Sequence, residues 1–366
     1  MNVPIHQSSH QKHAYEELVM DERLERPDLS NLPSDVVAYI EALEAALNQS
    51  AVAEDRELPL EPSEPPTTIN VITISTQGLA KRTPRHFYTR QRRGGMGVFG
   101  MDVADGDKPK FLLLADIEAG LTVITNQGRA FRIPVAELAE TPVAGRGKPL
   151  VERFPFRADV QVALVVGDPL PKQPNAYLAL ITVRGQVRRI GSQYLGKNLQ
   201  TGTVLYNVAE GGPPAAASWT TGNDDLLITT RTGLAIRFAE RLAPVRGCLG
   251  IRVDPQDAVV GVASADANTG ATFMVGHDGK GTIRLFSGFS ANKAPGAGGK
   301  TLMKTDQLVG VSAAGEQDDI FVVSRLGKII RFAAAEVPAK EGVVQGVNCM
   351  ALRADECVAL AVSPGS

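Results

Sequence analysis

Apolar runs recur in pairs through residues 68–366, each pair joined by a short polar turn that ends in glycine. Phe321–Phe332, FVVSRLGKIIRF, shows the unit: a β-forming run, a turn closed by Gly327, and a second run carrying Arg331. A hairpin of this kind needs a turn residue that tolerates positive φ, and glycine does so at least steric cost. The pattern returns around Gly78, Gly128, Gly185 and Gly233, and around Gly279 with one extra residue before the arginine. The arginines of the second runs are Arg82, Arg132, Arg189, Arg237, Arg284 and Arg331, spaced 50, 57, 48, 47 and 47 residues apart. A period near 50 with paired strands in each unit predicts a closed, propeller-like array. A glycine-bearing loop and a further apolar run follow each hairpin, as in RGCLGIRVDP before VVGVASA, so each unit is expected to hold about four strands. So small a sheet covers its faces only by stacking on its neighbours. The expected blades are about 68–119, 120–175, 176–223, 224–269, 270–317 and 318–366.

Ahead of the repeats the pattern changes. Residues 12–25 and 34–49 have helical periodicity, the second opening with Pro33 and an N-cap at Ser34. Val36, Ile40, Leu43 and Leu47 share one face, which suits packing on a neighbouring helix or on the repeats, or a short dimer seam through 34–49. Residues 50–67, rich in Pro and Glu, read as a linker.

Charge sharpens this division. The formal net charge of -2 conceals a segment 1–67 with 4 basic and 14 acidic residues, leaving the repeats with 34 basic and 26 acidic. A basic body with an acidic appendage points to a polyanionic partner for the body. No run approaches the ~20 apolar residues of a membrane span. The start MNVPIHQSSH lacks the features of a secretory signal, so a cytoplasmic protein with no membrane contact is expected. Cys248, Cys349 and Cys357 form no metal-binding or disulfide spacing, and no cofactor is expected.

Two glycine-rich stretches imitate nucleotide sites. Gly95–Gly100 matches GxGxxG but lacks the strand–helix setting and ribose-binding acid of a dinucleotide fold. Ala294–Thr301, APGAGGKT, has alanine for the first P-loop glycine and precedes a strand-like run. Both fall after a hairpin and read as copies of one loop. Asp318 and Asp319 read as solvated turn acids, and no catalytic constellation emerges.

The informative stretch is Lys81–Gly97, KRTPRHFYTRQRRGGMG, where Lys81, Arg82, Arg85, Arg90, Arg92 and Arg93 surround Phe87 and Tyr88. Arginines offer forked donors to phosphate, and glycines let backbone N–H groups approach an anion. Gln91-Arg92-Arg93-Gly94-Gly95-Met96-Gly97 resembles the heptapeptide box, usually QRRGGKG, of the DNA gyrase A C-terminal domain family. Six of seven positions agree, and GLAKRTP and the hairpin units extend the resemblance over about residues 70–364.

That resemblance implies a six-bladed β-pinwheel, an all-β disc with a short α-helical N-terminal extension. It also implies non-sequence-specific binding of duplex DNA, wrapped around a basic rim with a fixed hand. It places Gln91, Arg92, Arg93, Gly94, Gly95 and Gly97 on DNA, with Lys81, Arg82, Arg85, Arg90, Arg129, Arg188 and Lys328 as further rim candidates. Met96 replaces the box lysine. With no breakage-reunion core or tyrosine nucleophile in these residues, the expectation is a free-standing, nucleoid-associated wrapping chain, not an enzyme on its own. The rival readings are one component of a type II topoisomerase that acts with a separate catalytic core, and a protein-docking scaffold. The hairpin arginines suit two roles, tying blades together or facing DNA.

Overall fold

Each polar turn and its flanking runs form an antiparallel hairpin. The computed structural model describes residues 29, 33–42, 64–150, 159–169 and 176–365. In blades 1 to 6 the hairpins are Ile69–Ser75 with Leu79–Pro84, Gly120–Thr125 with Arg129–Pro134, Tyr177–Thr182 with Gln186–Gly191, Asp225–Thr230 with Leu234–Ala239, Ala271–Gly276 with Lys280–Leu285, and Asp319–Ser324 with Lys328–Ala333. On its other edge the first strand of each hairpin pairs with an inner strand: Pro109–Asp116, Val162–Gly167, Pro214–Thr220, Val259–Ala265, Leu308–Ala313 and Cys357–Ser363. The inner strands line a central channel of about 830 Å³. Each touches the next, and Cys357–Ser363 touches Pro109–Asp116, so the ring of six blades is closed.

The fourth strand of each sheet departs from the expectation that a unit supplies all its own strands. A two-residue strand in the loop after each hairpin crosses to the outer edge of the preceding blade. Lys148–Pro149 completes blade 1, Thr203–Val204 blade 2, Cys248–Leu249 blade 3 and Lys300–Thr301 blade 4. Ala339–Lys340 and Val347–Asn348 both pair with blade 5. Val98–Phe99 of blade 1 completes blade 6, with Phe99 opposite Lys328 and Val98 opposite Ile329.

The first hairpin strands read as continuous apolar runs because both their faces are covered. Successive residues point to opposite neighbours. Ile320 and Val322 pack with Phe273 and Val275 of blade 5, while Phe321 and Val323 pack with Val71 and Leu112 of blade 1. The six principal apolar clusters each lie between adjacent blades. The turn glycine is required twice over at Gly327: its φ is 83°, and a Cβ there would stand 2.4 Å from the Met101 carbonyl oxygen.

Four of the six hairpin arginines tie blade to blade, while Arg132 pairs with Asp168 of its own blade at 2.8 Å. Arg82 donates to the Leu138 carbonyl, Arg189 to Ala243, Arg237 to Phe286 and Phe289, and Arg331 to Arg85 and Tyr88, in each case across to the next blade. Asp225 and Asp319 hold Arg237 and Arg331 from behind, at 2.7 and 2.5 Å. Asp319 is therefore fully buried, not a solvated turn acid. Arg284 departs from the common register. The extra residue after Gly279 sets Ile283 opposite Phe273, where the other blades carry arginine, and sets Arg284 opposite Thr272 on the reverse face. The places equivalent to Arg284 hold Phe238 and Phe332 in its neighbours.

Residues 64–67, the end of the expected linker, are fastened to the ring. Glu64 bridges Arg85 at 2.9 Å and Arg331 at 2.6 Å. Among the earlier residues, 34–42 form a helix whose first N–H groups at Val36 and Val37 bond the Pro33 carbonyl. The expected helix 12–25, the remainder of 34–49 and positions 50–63 lie outside the described residues.

Candidate nucleic-acid interface

Three of the expected rim cations turn inward. Lys81 is fully buried, and its ammonium donates to the carbonyls of Gly100, Pro142, Val143 and Gly145. Burial draws its pKa down to about 8, so at neutral pH it remains an ammonium that gathers two loops. Arg85 is 4% exposed and binds Glu64, Ser363 and the Pro364 carbonyl, clamping blade 1 to the end of blade 6. Arg82 is held by Glu140 and the Leu138 carbonyl. These three support the ring: Lys81 and Arg82 lie on opposite faces of the second hairpin strand, both within reach of blade 2, and Arg85 lies in the turn after it.

The box forms a tight knuckle over the seam between blades 1 and 6. Gln91 N–H donates to Arg331 O, Gly94 N–H to Cys349 O and Gly95 N–H to Arg92 O. Gly97 N–H reaches the Gln91 side-chain oxygen at 3.3 Å, pinching the two ends of the loop together. The box glycines thus do not offer N–H groups to phosphate, as the sequence suggested. They allow close approach: Gly97 has φ 70°, and a Cβ on it would stand 2.6 Å from the Ile329 carbonyl oxygen.

The two box arginines differ. Arg93 donates to the carbonyls of Glu336 at 2.7 Å and Asn348 at 3.1 Å, and its N–H bonds the Glu336 carboxylate. Arg92 is exposed, and its side chain makes no hydrogen bond or ion pair among the described residues. Met96 is 40% exposed, on the outside of the knuckle.

Of the remaining candidates, Arg90 pairs with Asp319 at 2.9 Å inside the seam. Arg188 uses both terminal nitrogens on the Leu205 and Arg246 carbonyls. Arg129 and Lys328 begin second hairpin strands and pair with donated strands at the outer edge, Arg129 exposed and Lys328 5.5 Å from the Phe99 ring.

Beyond Arg92, sequence reasoning missed a larger set. The donated strands are the outermost of each sheet, so the loops that carry them form the rim. Each such loop bears at least one exposed cation: Arg92, Arg146 with Lys148, Lys197, Arg246, Lys293 with Lys300, and Lys340. Their shared place, in the glycine-bearing loop after the hairpin, was the available signal. No helix among the described residues is long and apolar enough to cross a membrane, and no His, Cys, Asp and Glu cluster among them is arranged for a metal. Ala294–Thr301 ends in a donated strand, not a helix, as does Gly95–Gly100.

The family model described as DNA gyrase C-terminal domain, beta-propeller, matches residues 70–108, 121–165 and 318–341. The gyrase A protein of Staphylococcus epidermidis is 28% identical over 291 residues, covering 77% of this chain and 33% of the relative. Its Staphylococcus aureus counterpart is 27% identical over 297 residues, covering 79% and 34%. The chain thus spans about a third of the length of these relatives. The solved DNA gyrase A C-terminal domain superposes with a TM-score of 0.69 at 22% identity, over 80% of this chain and 99% of that one. The C-terminal domain of DNA topoisomerase IV gives 0.55 at 15% identity, over 81% and 93%. Box, repeats and closed six-bladed ring together make this chain similar to the DNA gyrase A C-terminal domain, in sequence over the matched residues and in fold.

Proposed function

We propose that this chain binds duplex DNA along its rim and wraps it, without sequence preference, in the service of DNA topology. The observation that supports this reading is the exposed cation on the donated loop of every blade, from Arg92 round to Lys340. Phosphates are evenly spaced along a duplex, and a ring of cations with no groove-reading helix suits backbone contact. Bending 20–30 bp through 40–90° costs on the order of 1–6 kcal/mol, so contacts must continue from blade to blade. The exchanged strands supply that continuity, because each rim loop belongs to one blade and is hydrogen-bonded to the one before.

Strand breakage and ATP hydrolysis are assigned in this reading to a type II topoisomerase core outside residues 64–365, and the setting to the bacterial cytoplasm and nucleoid. The helix at 34–42, with Val36 and Tyr39 exposed, is the proposed contact with a second copy. The test is a gel-shift titration at rising salt. One phosphate contact per blade gives a slope of roughly −5 in log affinity against log salt. Unrelated duplexes of equal length should bind alike, and a circle nicked and resealed with the protein bound should change linking number. A flat salt response would overturn the proposal.

A further inference from the structure

The knuckle at the seam exposes apolar surface in the middle of a basic rim. Phe99 is 62% exposed and Val98 41%, on the two-residue strand that closes the ring, with Met96 beside them in the loop. Isolated exposed apolar residues are ordinary. Phe99, the most exposed of the three, differs in standing on a rigid support beside a cation. The loop is pinched by the Gly97–Gln91 hydrogen bond and fixed to blade 6 through Arg331, Cys349 and Arg93. Two cations belong to the same neighbourhood: the Lys328 ammonium lies 5.5 Å from the Phe99 ring, and the exposed Arg92 stands on the loop that leads into the Phe99 strand. A protein partner with an apolar face would meet two unpaired positive charges here. A duplex brings phosphates to those charges and an apolar base stack between them.

Building on the wrapping reading, we propose that Phe99 is a wedge that enters a base step of the bound duplex, while Arg92 and Lys328 hold the flanking phosphates. Apolar wedges held between phosphate contacts kink DNA by opening one step of the stack. Phe99 thereby sets where the duplex bends as it crosses the join, a task that phosphate contacts alone leave to chance. Deformable steps are then preferred at this position.

The experiment compares two 40-bp duplexes of the same sequence, one fully paired and one with a central two-base mismatch, at one salt concentration. The full chain should bind the mismatched duplex about tenfold tighter, because part of the unstacking is already done. Phe99→Ala should bring that ratio to about one, and Phe99→Leu, which can still intercalate, should keep most of it. Phe99 faces solvent, so both variants are expected to fold, which circular dichroism checks. An equal ratio for parent and Phe99→Ala, or no preference in the parent, overturns the wedge and leaves wrapping intact. Failure of the parent to bind either duplex overturns both.

Discussion

Arg92 and Arg93 are neighbours in the box, and the structure gives them separate tasks that a pair of alanine variants can resolve. Arg93 donates two charge-assisted hydrogen bonds to backbone carbonyls of the last blade, at 2.7 and 3.1 Å. Such bonds contribute about 1.5–3 kcal/mol each when sheltered. Arg93 is half-buried, which argues for the lower end, so Arg93→Ala should cost roughly 2–3 kcal/mol of unfolding free energy. The Arg92 side chain makes no polar contact among the described residues, and Arg92→Ala should change stability by less than about 0.5 kcal/mol. In DNA binding the order reverses at the level of charge: Arg92→Ala should reduce the salt slope by about one contact while leaving the fold intact. Arg93→Ala should disturb wrapping through the loosened seam. Urea unfolding and a salt-titrated gel shift, run on both variants, give the four numbers needed. Equal stability losses in the two variants, or a stable Arg93→Ala, would refute the assignment.

Arg284 is 3% exposed, with its Nε and Nη1 unpartnered among the described residues, so Arg284→Met should stabilise the ring by about 1–3 kcal/mol in urea unfolding; a loss would show that a hidden partner holds it. Burial alone would raise the Glu64 carboxyl, but its bonds to Arg331 and Arg85 and their charges leave it below the usual 4.5. A depressed carboxylate contributes stability above that pH and loses it below, so Glu64→Gln should trail the parent at pH 7 and converge with it towards pH 3. A gap independent of pH would count against the ion pairs. Burial pushes the Cys349 thiol from 9.0 up to about 12, and raises Cys357 as well. The unfolded chain then ionises first, so stability should fall as pH climbs above 9, by about 1.4 kcal/mol per unit for each thiol. Replacing both by alanine should flatten that decline; an unchanged slope would place its origin elsewhere. Met96→Lys adds a cation on the outside of the knuckle and should steepen the salt slope by about one contact, with unchanged affinity at low salt counting against the rim path.

The period of the hairpins, the glycine that closes each turn and the count of six were open to sequence reading, because they follow from local rules. Gly327 needs positive φ whatever surrounds it, and a run such as Phe321–Val323 signals a strand covered on both faces. The side of the ring on which a cation stands was not open. Lys81 and Lys328 occupy the second strands of equivalent hairpins, three residues and one residue after the turn glycine, yet one is enclosed by four carbonyls and the other lies at the rim. Period-two geometry makes such fates depend on which neighbouring loop arrives, and that loop belongs to another blade. Arg284 makes the same point in reverse, since one extra residue sends a matching arginine to the opposite face. Charge and spacing are properties of the chain. Whether a charge meets carbonyls, a carboxylate or solvent is decided by contacts between residues far apart in sequence, such as Arg85 with Ser363, and only the closed ring creates them.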